Sequence, residues 1–177
     1  MKLSHHITLC TTLQTPLGLL RVGLNDEHVL SLRFSDSDFD GLASATSMRV
    51  LHDTDGSKEM RILQQLCREF AEYFRGERTR FELPFCLGGT PFQQEVWHGL
   101  SSLAFGQTRT YRQHAESIMH PQGARAVGRA LGANRLAIVV PCHRVVGARG
   151  SLCGYNAKLW RKKSLLELEQ NHMRQRT

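Results

Sequence analysis

The sequence has no long hydrophobic run. None of its apolar stretches approaches the roughly 18 residues that a helix needs to span a bilayer. No apolar segment follows the positive charge near the amino terminus, as a secretory signal would require. We therefore expect a cytoplasmic protein that does not engage a membrane.

The sequence has few cysteines, and their spacing does not match a disulfide or zinc motif. The 177 residues include five cysteines, an odd number, and no two of them form a Cys-x-x-Cys pair. This argues against a disulfide framework or a cysteine-rich zinc module, and it fits a reducing compartment. No pair has the spacing of zinc-finger ligands either, so we expect no bound metal. The five positions are Cys10, Cys67, Cys86, Cys142 and Cys153.

Acidic residues are scarce in the second half of the chain. The formal net charge is +7 and the pI is about 9.5. From residue 109 onward the only acidic residues are Glu116, Glu167 and Glu169. A basic surface favours a polyanionic partner such as nucleic acid, although many basic proteins bind none.

The first half of the sequence is typical of a small αβ domain. Strand-like runs cover 7–12, 19–24 and 29–34, with turn residues between them. The polar segment 35–56 predicts a loop or a short helix. A helix is expected over 57–74, because apolar residues recur at helical spacing; these are Met60, Leu63, Cys67, Phe70 and Phe74.

The second half reads as mainly helical and begins at a glycine pair. Gly88 and Gly89 mark a boundary, which predicts domains at 1–88 and 89–172 and a tail at 173–177. Capping motifs predict helices that begin directly after Thr90 and Thr110. The first of these carries an apolar stripe of Val96, Leu100 and Leu103, and the second is expected to end near residue 119.

A third helix is predicted over 124–131, after a short turn. Two short helices joined by a tight turn are typical of a helix-turn-helix. Arg125 and Arg129 are four residues apart and share a face that the apolar residues do not occupy. That face is either solvated or in contact with DNA.

The densest cluster of reactive side chains is Pro141-Cys142-His143-Arg144-Val145. It follows the apolar run 136–140, which predicts a buried strand or extended segment. A cysteine acts chemically as its thiolate, and a neighbouring base helps to form it near neutral pH. By itself, such a pair can equally be a packed cysteine beside a surface histidine.

Glu169 is a candidate third member of this cluster. The final helix, expected over about 159–170, places Glu169 beside Leu165 and Leu166 on its apolar edge. A buried carboxylate there needs a partner. His143 is one candidate, which would give a nucleophile, a base and an orienting carboxylate. The alternative is a surface ion pair with Lys162 or Arg174.

Together these motifs closely resemble the methylated-DNA–protein-cysteine methyltransferases, the O6-alkylguanine-DNA alkyltransferase family. The resemblance is dense from residue 88 to 170 and faint before that. It implies an α+β fold, with a ribonuclease H-like amino-terminal domain of antiparallel sheet and helix and a winged-helix-like second domain. The shared residues are 90–97, Tyr111, 124–128, Asn134, 138–146, Gly154, Tyr155, Leu165, Leu166 and Glu169.

The resemblance implies an enzyme that repairs DNA by direct damage reversal. One alkyl group would pass irreversibly from O6 of guanine, with O4 of thymine as a second candidate donor, to Cys142. One molecule would repair one lesion after flipping the base, without a cofactor. The implied partner is double-stranded DNA containing O6-alkylguanine, bound by a monomer.

The roles implied by the resemblance fall into two groups. For catalysis, Cys142 is the alkyl acceptor, His143 takes its proton through a bridging water, Glu169 orients His143, and Asn134 fixes the turn before the active site. For DNA and the flipped base, Tyr111 assists rotation, Arg125 fills the vacated stack, and the remaining residues approach the groove or line the pocket. Those residues are Ala124, Gly128, Arg129, Val145, Tyr155 and Asn156.

The sequence departs from the family pattern in three places. Asn134 is followed by Arg135 rather than proline, and Asn156-Ala157-Lys158 replaces a glycine-rich segment at the pocket rim. The zinc ligands of the mammalian members are not matched. The alternatives are a non-catalytic alkylated-DNA-binding protein, a cysteine hydrolase and a methylation-sensing regulator; the cysteine at 142 disfavours the first of these.

Overall fold

The computed structural model describes residues 6–35 and 56–175. The chain divides into two compact units, Met1–Gly88 and Gly89–Thr177. The expectation of a loop or short helix over 35–56 falls almost entirely on residues outside the described part. Among the described helices, none is long and apolar enough to cross a membrane.

The first unit contains a three-stranded antiparallel sheet in the order β1-β2-β3. Its strands are β1 (Leu9–Thr15), β2 (Gly18–Leu24) and β3 (Val29–Phe34). The β1–β2 turn is closed by Thr15, whose hydroxyl donates to Gly18 O at 2.7 Å, and Gly18 supplies a positive φ of 109°. The predicted strands are confirmed, with the first shifted toward the turn.

The single described helix of this unit is α1 (Lys58–Phe74), with Ser57 as its N-cap. Its buried face differs from the predicted one. Cys67 is exposed, because the face is centred on Leu66, Phe70 and Tyr73. Phe70 and Tyr73 pack against Phe81 with tilted rings, whose centroids lie 5.1 and 5.4 Å from that of Phe81. The aromatic cluster therefore decides which stripe of α1 is buried.

The described part of the second unit contains four α-helices and one short parallel strand pair. The helices are α2 (Pro91–Gly99), α3 (Tyr111–Ser117), α4 (Ala124–Gly132) and α5 (Leu159–Gln175). The strands are β4 (Arg109–Thr110) and β5 (Val145–Val146). α5 continues through 173–175, so part of the predicted tail is helical; the Met173 side chain packs where a Cβ on Gly106 would lie, 2.6 Å away.

The predicted capping signals are confirmed. Thr90 with Gln93 and Thr110 with Gln113 form complete capping boxes at the starts of α2 and α3. α3 ends at Ser117, slightly before the predicted residue 119. The indole of Trp97 donates to Ala130 O at 2.9 Å, which fastens α2 to α4.

The apolar run 136–140 is buried as predicted, but it is not extended. Leu136, Ile138 and Val140 are almost inaccessible to solvent, yet the segment is a turn in which Val140 N donates to Leu136 O at 2.9 Å. Ile138 has a φ of 73°, in the left-handed region. The reason is local: the Asn134 amide binds Leu136 N and Val140 O, at 2.9 and 3.0 Å, and curls the chain back.

Candidate active site

A pocket of about 570 Å³ lies between α4 and the segment 153–157, within the second unit. Its size is suitable for a small organic group. Among the described residues, none that lines it is acidic. The lining residues are Tyr111, Arg125, Gly128, Arg129, Leu131, Gly132, Asn134, Ala137, Cys142, Cys153, Gly154, Tyr155, Asn156 and Ala157.

Cys142 begins a 3-10 turn, Cys142–Arg144, immediately after Pro141. The Asn134 amide donates to its Sγ at 3.1 Å, and the same amide holds the preceding turn. Burial raises the pKa of the Cys142 thiol, whereas the Asn134 hydrogen bond and the Lys162 charge oppose the rise. Asn134 therefore positions the sulfur and also stabilises its anion.

His143 and Glu169 form the pair that the sequence suggested, and both side chains are completely buried. His143 Nε2 lies 2.9 Å from Glu169 Oε1. Burial lowers the pKa of His143 below its ordinary value, against the effect of Glu169, so the ring is neutral near pH 7. An ionised carboxylate fixes the proton on Nε2 and leaves Nδ1 as an acceptor. Nδ1 is buried and has no hydrogen-bond partner among the described residues.

Arg144 is a part of this network that the sequence reasoning missed. Its Nε and Nη2 donate to the two Glu169 oxygens at 2.9 Å, and its Nη1 donates to Leu103 O at 2.7 Å. Gly106 N adds a further donor to Glu169 at 2.9 Å. Burial by itself raises the pKa of Glu169, but His143 and Arg144 outweigh burial and hold that pKa well below its ordinary value. This pair could have been expected from the sequence, because a carboxylate that is buried needs a cation as its partner and Arg144 is next to His143.

Tyr111 is the first residue of α3, and its side chain lines the pocket and contacts residues 153 and 154. Its hydroxyl donates to Cys153 O at 3.1 Å and is 3.2 Å from Gly154 O. Burial, with smaller effects from Cys153 and Cys142, raises the pKa of Tyr111 to about 12, so the hydroxyl stays protonated. Gly154 has a φ of 53°, and a Cβ there would lie 3.2 Å from the Tyr111 oxygen. Glycine therefore allows both the turn and the close approach.

Lys162 is a second residue that the sequence reasoning missed. Its side chain is fully buried, and its Nζ donates to Cys153 O at 2.8 Å. Nζ also lies 5.7 Å from the centre of the Tyr111 ring. The alternative of a surface ion pair between Lys162 and Glu169 is therefore wrong, because Lys162 makes these contacts instead. A lysine at helical spacing from Leu165 and Leu166 gives little indication in sequence that it is buried.

The basic face of α4 borders the pocket. Val127 and Ala130 point into the core, whereas Arg125 and Arg129 are exposed and line the mouth. A Cβ on Gly128 would lie 3.7 Å from the Tyr111 ring, at ordinary van der Waals distance, so α4 packs directly against Tyr111 at this position. Neither arginine is tied to another described residue by a hydrogen bond or ion pair.

The remaining candidates divide between the pocket and its surroundings. Tyr155 and Asn156 line the pocket, and burial raises the pKa of Tyr155 well above its ordinary value. Ala124 lies at the start of α4, outside the lining. Val145 is also outside, because it begins β5 and its backbone N–H donates to Cys142 O. Within 6–35 and 56–175, no group of three or more His, Cys, Asp and Glu side chains is arranged to hold a metal ion.

Two family models match the sequence. Residues 8–87 match the ribonuclease-like domain of 6-O-methylguanine DNA methyltransferase, and residues 91–171 match its DNA binding domain. The methylated-DNA–protein-cysteine methyltransferase of Mycolicibacterium paratuberculosis is 39% identical over 161 residues, which cover 91% of this chain and 92% of that protein.

Solved structures of similar proteins share the fold. The crystal structure of Mycobacterium tuberculosis O6-methylguanine methyltransferase has a TM-score of 0.80 at 35% identity, covering 93% of each chain. The M. tuberculosis protein in complex with DNA has a TM-score of 0.73 at 38% identity, covering 91% of this chain and 92% of that one. These similarities confirm the α+β fold class. The chain belongs to the methylated-DNA–protein-cysteine methyltransferase family.

Proposed function

We propose that this protein repairs DNA by transferring a methyl or other alkyl group from O6 of guanine in duplex DNA to Sγ of Cys142. One observation carries the proposal: Cys142 lines a pocket bordered by the exposed arginines of α4, and the adjacent His143 is fixed by a buried carboxylate. The thiol, its base and a polyanion-binding face are thus parts of one compact unit.

The lesion must first leave the base stack, because its O6 substituent lies inside the duplex. Extrusion costs a few kcal/mol. Arg125 projects from α4 at the pocket mouth and would fill the vacated space. Tyr111 would then turn its hydroxyl from the carbonyls of residues 153 and 154 to N3 of the guanine, since its raised pKa keeps it a donor.

Thiolate formation uses the buried network. Glu169 holds the proton of His143 on Nε2, so Nδ1 accepts the Cys142 proton through a bridging water. The resulting imidazolium is stabilised by Glu169. The Asn134 amide and the Lys162 ammonium stabilise the negative sulfur.

The transfer itself is a displacement at carbon. The Cys142 thiolate attacks the alkyl carbon, an S–C bond forms, and the bond from carbon to O6 breaks with its electron pair going to guanine. The guanine takes up a proton and returns to the ordinary base. A thioether has no route back to thiol in this site, so each chain acts once and the step consumes no redox or nucleotide cofactor. All these residues come from one chain, which supports action as a monomer.

The direct test is to mix the protein with a duplex that carries O6-methylguanine and to map the product by peptide mass spectrometry. We expect one methyl group per chain, on Cys142, and a reaction that stops after one equivalent of lesion. Cys67→Ser, which changes an exposed cysteine of α1, serves as the control and should transfer normally. Methyl transfer to another residue, or repeated turnover, would contradict the proposal.

A further inference from the structure

His114 is a fully buried histidine that the proposed chemistry does not use. It lies in the middle of α3, and its Nε2 is 2.9 Å from the carbonyl oxygen of Val96 in α2. A carbonyl oxygen can only accept a hydrogen bond, so Nε2 carries the proton of the neutral ring. Nδ1 is then the unprotonated nitrogen, and it is buried without a hydrogen-bond partner among the described residues.

The hydrogen bond from His114 satisfies a carbonyl at the end of α2. Leu100 N donates to Trp97 O and His98 O, in the tighter pattern of a 3-10 turn, rather than to Val96 O. The imidazole therefore completes the hydrogen bonding of α2 from the neighbouring helix. Separation of the two helices would leave a buried carbonyl without its partner, which is costly.

α2 and α3 meet closely at this point. A Cβ on Gly99 of α2 would lie 2.6 Å from Ile118 Cγ2 and 3.1 Å from His114 Cε1, so no larger residue fits there without a shift. A close-packed junction of this kind cannot rearrange around a new charge unless the two helices move apart.

The charges around the imidazole do not offset a proton on Nδ1. Arg109 of β4 acts on His114 and has the same sign as a protonated ring. The acidic residues of the two helices have other partners, because Glu95 lies 3.1 Å from His120 Nε2 and Glu116 lies 3.0 Å from Arg112 Nε. The remaining charged or titratable residues of α2 and α4 are exposed; these are His98, Arg125 and Arg129.

These surroundings determine how His114 responds to acid. Burial lowers the pKa of His114, against the effect of the Val96 hydrogen bond, and Arg109 lowers it further. When the junction opens, the ring returns to its ordinary pKa of 6.5. Between these two values the open form takes up a proton that the packed form does not. The stability of the junction is therefore complete above about pH 6.5 and falls as the pH drops below that value.

We propose that His114 is an acid-sensitive switch between α2 and α3, in which proton uptake at Nδ1 releases α3 from the end of α2. Tyr111 begins α3, and its hydroxyl reaches the carbonyls of residues 153 and 154. The release therefore also withdraws Tyr111 from the pocket wall. The switch belongs to the junction of two helices and does not depend on the proposed alkyl transfer.

Hydrogen exchange of the α3 amides measures the opening, because exchange follows the population of the open form. The test compares their protection at pH 7.5 and pH 5.5, corrected for the intrinsic exchange rate. His114→Gln keeps a donor for Val96 O but does not titrate. We expect protection to fall by up to about tenfold more in the wild type than in His114→Gln, which is the limit for one proton taken up at a pKa of 6.5.

Two further variants complete the test. His98→Gln removes an exposed histidine from α2 and should keep the wild-type fall in protection. His114→Leu fills the space without a donor, so it should show the smaller fall of His114→Gln, with lower protection at both pH values. An equal fall in the wild type and His114→Gln would overturn the inference, whether or not His114→Leu folds.

Discussion

The two working regions of the second unit are built in opposite ways. His143, Arg144 and Glu169 are buried, and their hydrogen bonds form a closed network with the backbone of Leu103 and Gly106. The outer face of α4, by contrast, presents Arg125 and Arg129 to solvent. In the first region every named charge is paired within the protein, with His143 Nδ1 left without a partner among the described residues, whereas the second region has its charges available to a partner.

This difference has a consequence for substitutions. In the buried network, the groups that orient the base also neutralise one another, so a change there affects folding and chemistry together. On the α4 face, a change removes a charge that the folded protein does not need. Substitutions in the two regions should therefore give different combinations of stability, DNA affinity and transfer rate.

The largest effect is expected from Cys142→Ser, which should abolish alkyl transfer without changing DNA binding. Cys142→Ser keeps an atom that can accept the Asn134 hydrogen bond but removes the nucleophile. Alkyl transfer should be lost, while the melting temperature and the affinity for duplex DNA stay close to those of the wild type. Transfer is measured by mass spectrometry and affinity by fluorescence anisotropy. A loss of DNA binding as well would assign Cys142 a folding role.

The next effect combines stability and rate. Glu169→Gln leaves the Arg144 guanidinium buried without its counter-charge, which should cost about 3–5 kcal/mol of unfolding free energy. The transfer rate should fall about 100-fold, because His143 loses the carboxylate that orients it. Urea unfolding and single-turnover kinetics measure the two quantities.

Glu167→Gln is the matched control for that variant. Glu167 lies on the same helix, is exposed, and pairs only with Lys163 at 3.8 Å among the described residues. Its loss should change the unfolding free energy by less than about 0.5 kcal/mol. Equal effects of the two substitutions would remove the distinction between the buried network and the surface.

Acid should weaken the buried network selectively. The pKa of Glu169 in the folded protein is below its ordinary value of 4.5, so its contribution to stability is complete above that value. As the pH falls further, the unfolded chain takes up a proton that the folded protein does not, and the contribution is lost. The difference in unfolding free energy between wild type and Glu169→Gln should narrow between about pH 5 and pH 3. A constant difference over that range would contradict the assignment.

The smallest effect lies on the exposed face. Arg129→Ala should leave the unfolding free energy within about 0.5 kcal/mol of wild type. If Arg129 meets a phosphate, the slope of log affinity against log salt should fall by about one unit. Arg75→Ala, which removes an exposed arginine of the first unit, should not change the slope. Salt titrations of duplex binding measure the effect, and an unchanged slope in Arg129→Ala would show that this arginine meets solvent only.

Much of the fold follows from local signals in the sequence. The capping boxes at Thr90 and Thr110 are set by residues three apart, so they could be read directly. The strands were identified by short apolar runs between turn residues. The conformation of 136–140 could not be predicted from the sequence, because a buried apolar run has the same composition whether it is extended or curled. Here the hydrogen bonds of the Asn134 side chain to Leu136 N and Val140 O determine that the segment is curled.

The site was predictable to the extent that its residues lie in characteristic motifs. Cys142 and His143 are adjacent, and Glu169 stands out as a carboxylate on an apolar helix edge. Arg144 and Lys162 were missed as buried cations because their partners, Glu169 and the Cys153 carbonyl, are identified by tertiary contacts alone. The hydrogen bond from His114 to Val96 O has the same origin, since it joins residues that are 18 apart in sequence.

The central claim is that the buried network carries out the chemistry and the exposed α4 face acts on DNA. It is tested most directly by comparing two substrates, an O6-methylguanine duplex and O6-methylguanine as the free base. Arg125→Ala should slow transfer from the duplex about 100-fold, because unfilled stacking costs a few kcal/mol, and should leave the slow reaction with the free base unchanged. Glu169→Gln should slow both reactions by the same factor. If Arg125→Ala slows the free-base reaction as much as the duplex reaction, the exposed face and the buried network do not have the separate roles assigned to them.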